Sequence, residues 1–497
     1  MKNADPLPSR DNDPAVSADA SRSLSEDELM LFSDLIIERT GIRFDRRRNN
    51  ALDRCVITAA RRAGLGSIGD YYRILRQERT DSTLWDKLIS DITVGETYFF
   101  RNPAHFDALR QHILPDLIDR YRNVRRLRIW SAGCSSGEEP YSLAILLREL
   151  LPDVDKWNIF ILAADINRKV MAQARKGHYG NWSFRETDPA VRARYFTPLG
   201  NLYELIPRVR KMVTFIYLNL VEDAYPSLPT NTNAMDLILC RNVTIYLPEA
   251  RARKMAERFY RSLAPEGHLI VGAAETNKDV YNQFEVKGYP GVFVYQKPAG
   301  FIPGKKRQPQ QVRAPDVKKG LKTWKRKAID ERKVPEPVNH YHEGLILGKQ
   351  GLISEAIDRF KAHLKNDPGS ALAYYQIARL QANAGRLVEA HQSLLDAIER
   401  DPLLVEAYYT LALIHQEEGE LDKAVTQLKK TIYIDRKFVL AYFSLANIFQ
   451  QLNCREDAQH NRTQAIQLAA NMPPDKPVHG SDDLTAGRLL TMVKATM

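Results

Sequence analysis

A chain of 497 residues is too long for a single hydrophobic core, so two to four domains are expected. With 44% hydrophobic and 27% charged residues it has ordinary globular composition, and no apolar stretch is long enough to cross a bilayer. The net charge of +11 would suggest nucleic acid, but +9 of it falls in Ala299–Val334, where twelve Lys/Arg face three acids; the near-neutral remainder argues against a nucleic-acid partner.

Residues 1–23, rich in Pro, Asp and Ser, lack the apolar core of a signal peptide and read as a disordered lead-in. The four cysteines (Cys55, Cys134, Cys240, Cys454) show neither CxxC nor metal spacing. No disulfide and no metal are expected, and a reducing cytoplasm is the simplest compartment.

From 24 to 95 the pattern is helical. Ser25 followed by Glu28 predicts a capping box ahead of a period-3.6 apolar stripe. Next, Arg47, Arg54 and Arg61 fall seven apart on one face, with Leu52, Val56, Ala59 and Ala63 opposite. Such a stripe is ordinarily just a solvated face; the rival reading is a dock for an acidic helix.

Strands and helices alternate through 96–298: "RLRIW", "YSLAILLREL", "WNIFILAADI", "RKVMAQARKG", "MDLILC" and "GHLIVGAAE". That order predicts a parallel, Rossmann-like α/β sheet with a ligand at the carboxyl ends of its strands. Within it, "YELIPRVRKMVTFIYLNL" (203–220) alternates partly like an inserted hairpin. The loop "WSAGCSSGEEPYS" (130–142) leaves the first strand with Gly133 at its turn, and Asp165 ends the second, about where an acid meets a ribose hydroxyl. A dinucleotide dehydrogenase and a methyltransferase share that outline. Glu138 and Glu139 separate them, because carboxylates at this turn repel phosphates and attract the cationic S-adenosylmethionine. Either glutamate could instead complement the dipole of the following helix, and the sequence does not say which does what.

Segment 299–335 mixes Pro, Gly, Gln and Lys and reads as a flexible basic tether. Beyond it the sequence repeats every 34 residues: Ala356, Ala390, Ala424 and Ala458; Tyr374, Tyr408 and Tyr442; Asp367, Asp401 and Asp435. This register resembles the tetratricopeptide repeat, about four copies over 336–470. Such repeats stack into a solenoid whose concave face takes peptides or helices, so a protein ligand is expected at a reach set by the tether; the alternative is a module packed on the catalytic half that regulates it. The tail, 471–497, adds one more helix from about Leu484.

Four ordered motifs, "TVGETYFFRNP", "WSAGCSSGEEPYS", "AADI" and "CRNVTIY", together resemble the CheR-type chemotaxis receptor methyltransferases over about Ser25–Lys297. The resemblance implies transfer of a methyl group from S-adenosylmethionine to glutamates of methyl-accepting chemoreceptor cytoplasmic domains. It implies cofactor contacts from Thr97, Arg101, Gly133, Glu138, Glu139, Asp165, Asn219, Leu220, Arg241 and Asn242. Arg101 and Tyr246 become the expected catalytic pair, although Arg101 could equally hold the cofactor carboxylate. Gly95 stands where some members carry Asn, and no role is carried over there. The basic face of Arg47, Arg54 and Arg61 becomes a receptor dock, and the enzyme a cytoplasmic one recruited to receptor arrays. The chemistry agrees, since a glutamate is already ionised at neutral pH and needs no general base to take a methyl group. Two rivals are a nucleic-acid methyltransferase and a cofactor-binding repeat scaffold without turnover.

Overall fold

The computed structural model describes residues 23–44, 49–78, 80, 82–93, 95–221, 225–299, 339–452, 454–481 and 484–495. The expected lead-in except Ser23, the expected tether except Ala299, and Arg47 lie outside them. The chain forms two compact units: Met1–Val94 with Tyr246–Pro248, and Gly95–Ile245 with Glu249–Met497.

The first unit is helical: α1 (Glu26–Thr40), α2 (Asn49–Arg62), α3 (Ile68–Gln77) and α4 (Thr83–Ile92). The capping box forms as expected, with Glu28 N–H donating to Ser25 Oγ and Ser25 N–H to Glu28 Oε2. Ser67 and Ser82 cap α3 and α4 through their side chains, accepting from the Asp70 and Trp85 amides that the helices leave open. On α2, Leu52, Val56, Ala59 and also Ala60 are buried, Ala63 is half-buried, and Arg54 and Arg61 are exposed. The amphipathic face is therefore as predicted, rotated by one residue at its end.

The second unit opens with α5 (Pro103–Ala108), a π-helical turn, α6 (Leu114–Arg120), β1 (Arg126–Ala132), α7 (Glu138–Leu150), β2 (Asn158–Asp165) and α8 (Arg168–Lys176). Next come β3 (His178–Tyr179), α9 (Pro189–Tyr195), β4 (Phe196–Leu199), β5 (Leu202–Leu205), α10 (Pro207–Arg210), β6 (Val213–Tyr217), β7 (Met235–Cys240), α11 (Glu249–Ser262), β8 (Leu263–Val271), β9 (Glu285–Tyr289) and β10 (Val292–Gln296). The main sheet runs β6-β2-β1-β7-β8-β10-β9; the first five strands are parallel, and β10 and β9 are added by antiparallel pairing. All six residues of β7 are buried, the pattern of a strand covered on both faces. After β1 the chain builds outward to β2 and β6, then returns to the other side of β1 with β7. The order reverses there, which opens a crevice at the carboxyl ends of these strands.

The hairpin expected within 203–220 is displaced. The inserted sheet is β3-β5-β4, spanning residues 178–205, whereas β6 is the outermost strand of the main sheet, parallel to β2. An edge strand half-covered by helices alternates buried and exposed residues as a hairpin strand does, so the pattern alone could not separate the two.

Four helical hairpins follow: α12 (His340–Lys349) with α13 (Ile353–Asn366), α14 (Ala371–Asn383) with α15 (Leu387–Arg400), α16 (Val405–Glu417) with α17 (Leu421–Ile434), and α18 (Val439–Gln451) with α19 (Arg455–Ala470). Helix α20 (Ala486–Ala495) closes the chain. The small residues Ala356, Ala390 and Ala424 are completely buried where paired helices meet. Tyr375, Tyr409 and Phe443, also 34 apart, are buried in one apolar cluster with Val478, Leu484, Leu489 and Val493 of the tail and with Leu228 of the sheet domain.

The repeats thus pack on the sheet domain rather than hanging from it. Their turn glycines Gly351, Gly385 and Gly419 face Arg261, Ala234 and Asn158, where a β-carbon would lie 2.9, 3.1 and 3.4 Å from the nearest side-chain atom. Those residues precede or begin β8, β7 and β2, and α20 lies alongside β6. The hairpins therefore follow the amino edge of the sheet in strand order, opposite the crevice. Glu417 is enclosed at this junction: Asn233 Nδ2 donates to its Oε1 at 2.8 Å, Arg128 and Arg126 lie at 3.5 and 3.6 Å, and Asn158 Nδ2 donates to its carbonyl at 2.6 Å.

Candidate active site and its relatives

The loop after β1 turns on Gly133, at φ 86°, where a β-carbon would fall 2.4 Å from Val243 Cγ2. Only glycine combines that dihedral with so close a neighbour. The amides of Gly133 and Cys134 both donate to the Ala164 carbonyl, at 2.8 and 3.0 Å. Asp165 completes the turn, accepting from Ser135 N–H on Oδ2 and from Asn167 N–H on Oδ1, each at 2.8 Å. Burial pushes its carboxyl pKa up, and these two amides oppose the shift. One residue short of Asn219, the Leu218 N–H donates to the Asp165 carbonyl at 3.1 Å, bringing Asn219 and Leu220 to the same rim.

The two glutamates face different ways. Glu138 is buried and accepts from Ser136 Oγ at 2.7 Å and from Ser183 Oγ at 3.0 Å; burial raises its pKa. Glu139 accepts from Ser131 Oγ at 2.7 Å and pairs with Arg241 Nη1 at 3.1 Å. Each carboxylate thus has two partners within the protein, and the two are held in different surroundings. Glu139 alone joins the cluster built around Arg241, because successive residues at the start of α7 point about 100° apart.

Arg241 is buried and also donates through Nη2 to the Arg101 carbonyl. Burial lowers its pKa while Glu139 works against that change. Arg101, half-exposed, sends Nη1 to the Glu96 carbonyl at 2.6 Å and lies 5.7 Å from the Tyr98 ring centroid. Left-handed backbone flanks it at Phe100 (φ 56°) and Asn102 (φ 72°) and recurs at Ser135 (φ 49°) and Asn242 (φ 60°). Four non-glycine residues in that region, all in loops of one site, are a sign of backbone held for function. Thr97 is half-buried in the same segment, which crosses the β1 loop where Ser135 Oγ donates to the Gly95 carbonyl at 3.3 Å.

Sequence reasoning missed Glu275. Its carboxylate accepts from the amides of Gly272, Asn242, Val243 and Thr244 and from Thr244 Oγ1, at 2.6–2.8 Å, with Ile245 N–H at 3.4 Å. It holds the loop that carries Arg241 and Asn242. The signal was present as the acid ending "VGAAE" after a predicted strand, but a carboxylate serving backbone amides has no spacing pattern of its own. Tyr246 belongs to the helical unit, where its carbonyl accepts from Arg43 N–H at 2.7 Å. Gly133, Glu139, Asp165, Asn219, Leu220, Arg101, Arg241 and Asn242 are thus linked in the sheet unit. Glu138 turns toward the inserted subdomain, and Arg54 and Arg61 lie on the helical unit.

An acidic, lysine-free turn with Asp165 at the end of β2 and no room beside Gly133 suits a nucleoside ligand without phosphates. Comparison with known proteins agrees. Residues 95–292 match the CheR methyltransferase SAM binding domain, 27–93 the CheR methyltransferase all-alpha domain and 405–438 the tetratricopeptide repeat. Chemotaxis protein methyltransferase 2 of Vibrio cholerae is 31% identical over 276 residues, covering 55% of this chain and 94% of the relative. The chemotaxis protein methyltransferase of Escherichia coli K12 is 32% identical, covering 54% of this chain and 90% of its own. Among solved structures, the crystal structure of MamA is 28% identical over 26% of this chain and 77% of its own, at a TM-score of 0.26. Among the described residues no helix is long and apolar enough to cross a membrane. The chain belongs to the CheR family of S-adenosylmethionine-dependent chemotaxis protein methyltransferases, here joined to tetratricopeptide repeats.

Proposed function

We propose that this enzyme methylates glutamate side chains of chemoreceptor cytoplasmic domains, forming glutamyl methyl esters. Arg101 carries the reading: a half-exposed guanidinium, fixed by the Glu96 carbonyl and by strained backbone on both sides, at the rim of the cofactor crevice. A planar guanidinium holds a carboxylate oxygen in place without taking its proton or being consumed. Bound in the crevice, S-adenosylmethionine supplies a methyl group on a sulfonium, which an ionised carboxylate takes without losing a proton.

Gly133 gives the ligand its approach to the backbone, Asp165 receives the ribose hydroxyls, and Asn219, Leu220 and Asn242 line the rim. Thr97 and Arg101 close over it. Glu139 and Arg241 hold each other, so their pairing sets the rim's shape rather than its net charge. Glu138 secures the inserted subdomain. Tyr246 serves the substrate carboxylate as a second orienting group, its phenol able to hold an oxygen without being consumed. No general base is needed, because the attacking carboxylate is already ionised; burial pushes the pKa of the Cys134 and Cys240 thiols well up, which disfavours the thiolate as a competing nucleophile. Arg54 and Arg61, with Arg47, offer cations to the acidic receptor helices, which keeps the enzyme at cytoplasmic receptor arrays.

The experiment incubates the protein with methyl-labelled S-adenosylmethionine and receptor-containing membranes, then treats the product with mild base. Label released as methanol from a receptor-sized band is expected. Base-stable label would refute the glutamate assignment while leaving the cofactor intact. Absence of label despite cofactor binding would favour a scaffold.

A further inference from the structure

The third repeat reaches the methyltransferase through one side chain. Glu417, the last residue of α16, is buried. Its carboxylate accepts from Asn233 and neighbours Arg128, which donates Nη2 to the Asn231 carbonyl at 3.0 Å and Nε to the Asn233 carbonyl at 3.3 Å. Segment 225–234 is therefore held at its far end by a residue of the repeats. In its middle Leu228 is buried in the repeats' apolar cluster. At its near end Tyr225 Oη donates to the Leu220 carbonyl at 2.8 Å, its ring edge-on to Trp130 at 5.2 Å. Arg258 Nη1 reaches the same carbonyl at 3.4 Å.

We propose that Glu417 is a positioning residue for cofactor binding: through Asn233, Arg128 and segment 225–234 the repeat module holds Asn219 and Leu220 in their binding conformation. This rests on the assignment of those two residues to the cofactor. The charges explain the direction. Arg128 is 3% exposed, and Asp236, the other carboxylate near it, accepts the Arg128 backbone N–H at 2.8 Å. Without Glu417 the guanidinium faces a buried junction with its principal counter-ion gone and must turn away, releasing the two carbonyls it holds. By linkage, cofactor binding in turn strengthens the docking of the repeats. Glu417 does not touch the reacting atoms, so its loss acts on cofactor affinity and not on the chemical step.

The test uses the full chain and measures S-adenosylmethionine binding by calorimetry, steady-state methylation and thermal unfolding. For Glu417→Gln the expected result is a cofactor Kd and KM raised about tenfold or more, with kcat changed less than about twofold. Adding Asn233→Asp returns a carboxylate beside Arg128 opposite the new amide, and most of the affinity is expected to return. Asn158→Ala removes the hydrogen bond to the Glu417 carbonyl without touching segment 225–234; it is expected to lower Tm and leave cofactor Kd unchanged. The proposal is overturned if Glu417→Gln lowers Tm with Kd unaltered, or if Asn158→Ala raises Kd as much as Glu417→Gln. Asn219→Ala separates the two layers. Unchanged affinity there sinks the cofactor assignment itself, whereas weakened binding there beside normal binding in Glu417→Gln sinks only the coupling.

Discussion

Glu275 shows how much of the active site rests on a residue that touches no substrate. One carboxylate satisfies five backbone amides and a hydroxyl, and replacing it with Gln sets an NH2 donor against N–H donors. Buried donors left unpaired cost about 1–3 kcal/mol, which corresponds to roughly ten- to hundredfold in affinity. Glu275→Gln should therefore weaken S-adenosylmethionine binding by that factor in calorimetry, and affinity within twofold of wild type would reduce the carboxylate to a bystander. Gly133 permits a sharper test. Gly133→Ala should abolish cofactor binding, since its β-carbon would meet Val243, and adding Val243→Ala should recover part of it by removing the clash but not the dihedral strain. No recovery would assign the whole effect to the backbone.

Buried histidines add a pH dependence. His268 and His105 are held at about 4, both chiefly by burial, with Arg120 and Lys287 adding to the effect at His268 and Arg241 at His105. Their folded pKa lies below the ordinary 6.5, so the unfolded chain binds the proton first. The stability they contribute is complete above pH 6.5 and is lost as pH falls toward 4. Each steepens that acid slope by up to about 1.4 kcal/mol per pH unit. Denaturant unfolding of His268→Leu between pH 7 and 4 should show a correspondingly shallower slope, and an unchanged slope would remove His268 as a cause.

At the scale of elements, what was legible depended on period. The 34-residue register, the capping box and the strand–helix alternation are repeated or local signals, and each appears in the structure at its expected place. Strand β6 did not announce itself, because edge strands of different sheets alternate alike. The stretch 225–234, which carries no periodic pattern, helps form the surface on which the repeats sit: Leu228 joins their apolar cluster, and Asn233 bonds Glu417, 184 positions away. No spacing rule reaches that far. Within the site, Gly133, Asp165 and Arg241 could be located by motif, whereas the separation of Glu138 from Glu139 depended on which neighbour each meets in three dimensions.

At the scale of the whole molecule, two arrangements were open for the repeats: a protein ligand held at the reach of the tether, or packing on the catalytic half. The second is what forms: Leu228 of the sheet domain and the tail share one buried apolar cluster with Tyr375, Tyr409 and Phe443. Leu228→Ala removes a buried apolar side chain at this junction and should destabilise by about 2–5 kcal/mol. The sheet and the repeats should then melt in two calorimetric transitions instead of one, and a single shifted transition would show that the junction survives. Any partner of the repeats has to use surface left over from this internal packing.

Solenoid proteins usually gain or lose whole units without harm, because each unit meets only its neighbours. Here the turns at Gly351, Gly385 and Gly419 each face a different residue near the start of a different strand, so the array is indexed to the sheet like teeth on a rack. Duplicating a 34-residue unit ahead of Glu417 would preserve reading frame and helix packing alike, yet would advance every later tooth by one notch and carry Glu417 away from Arg128. In this lineage the number of units should be as hard to change as a catalytic residue, and domain shuffling would have to move sheet and solenoid together.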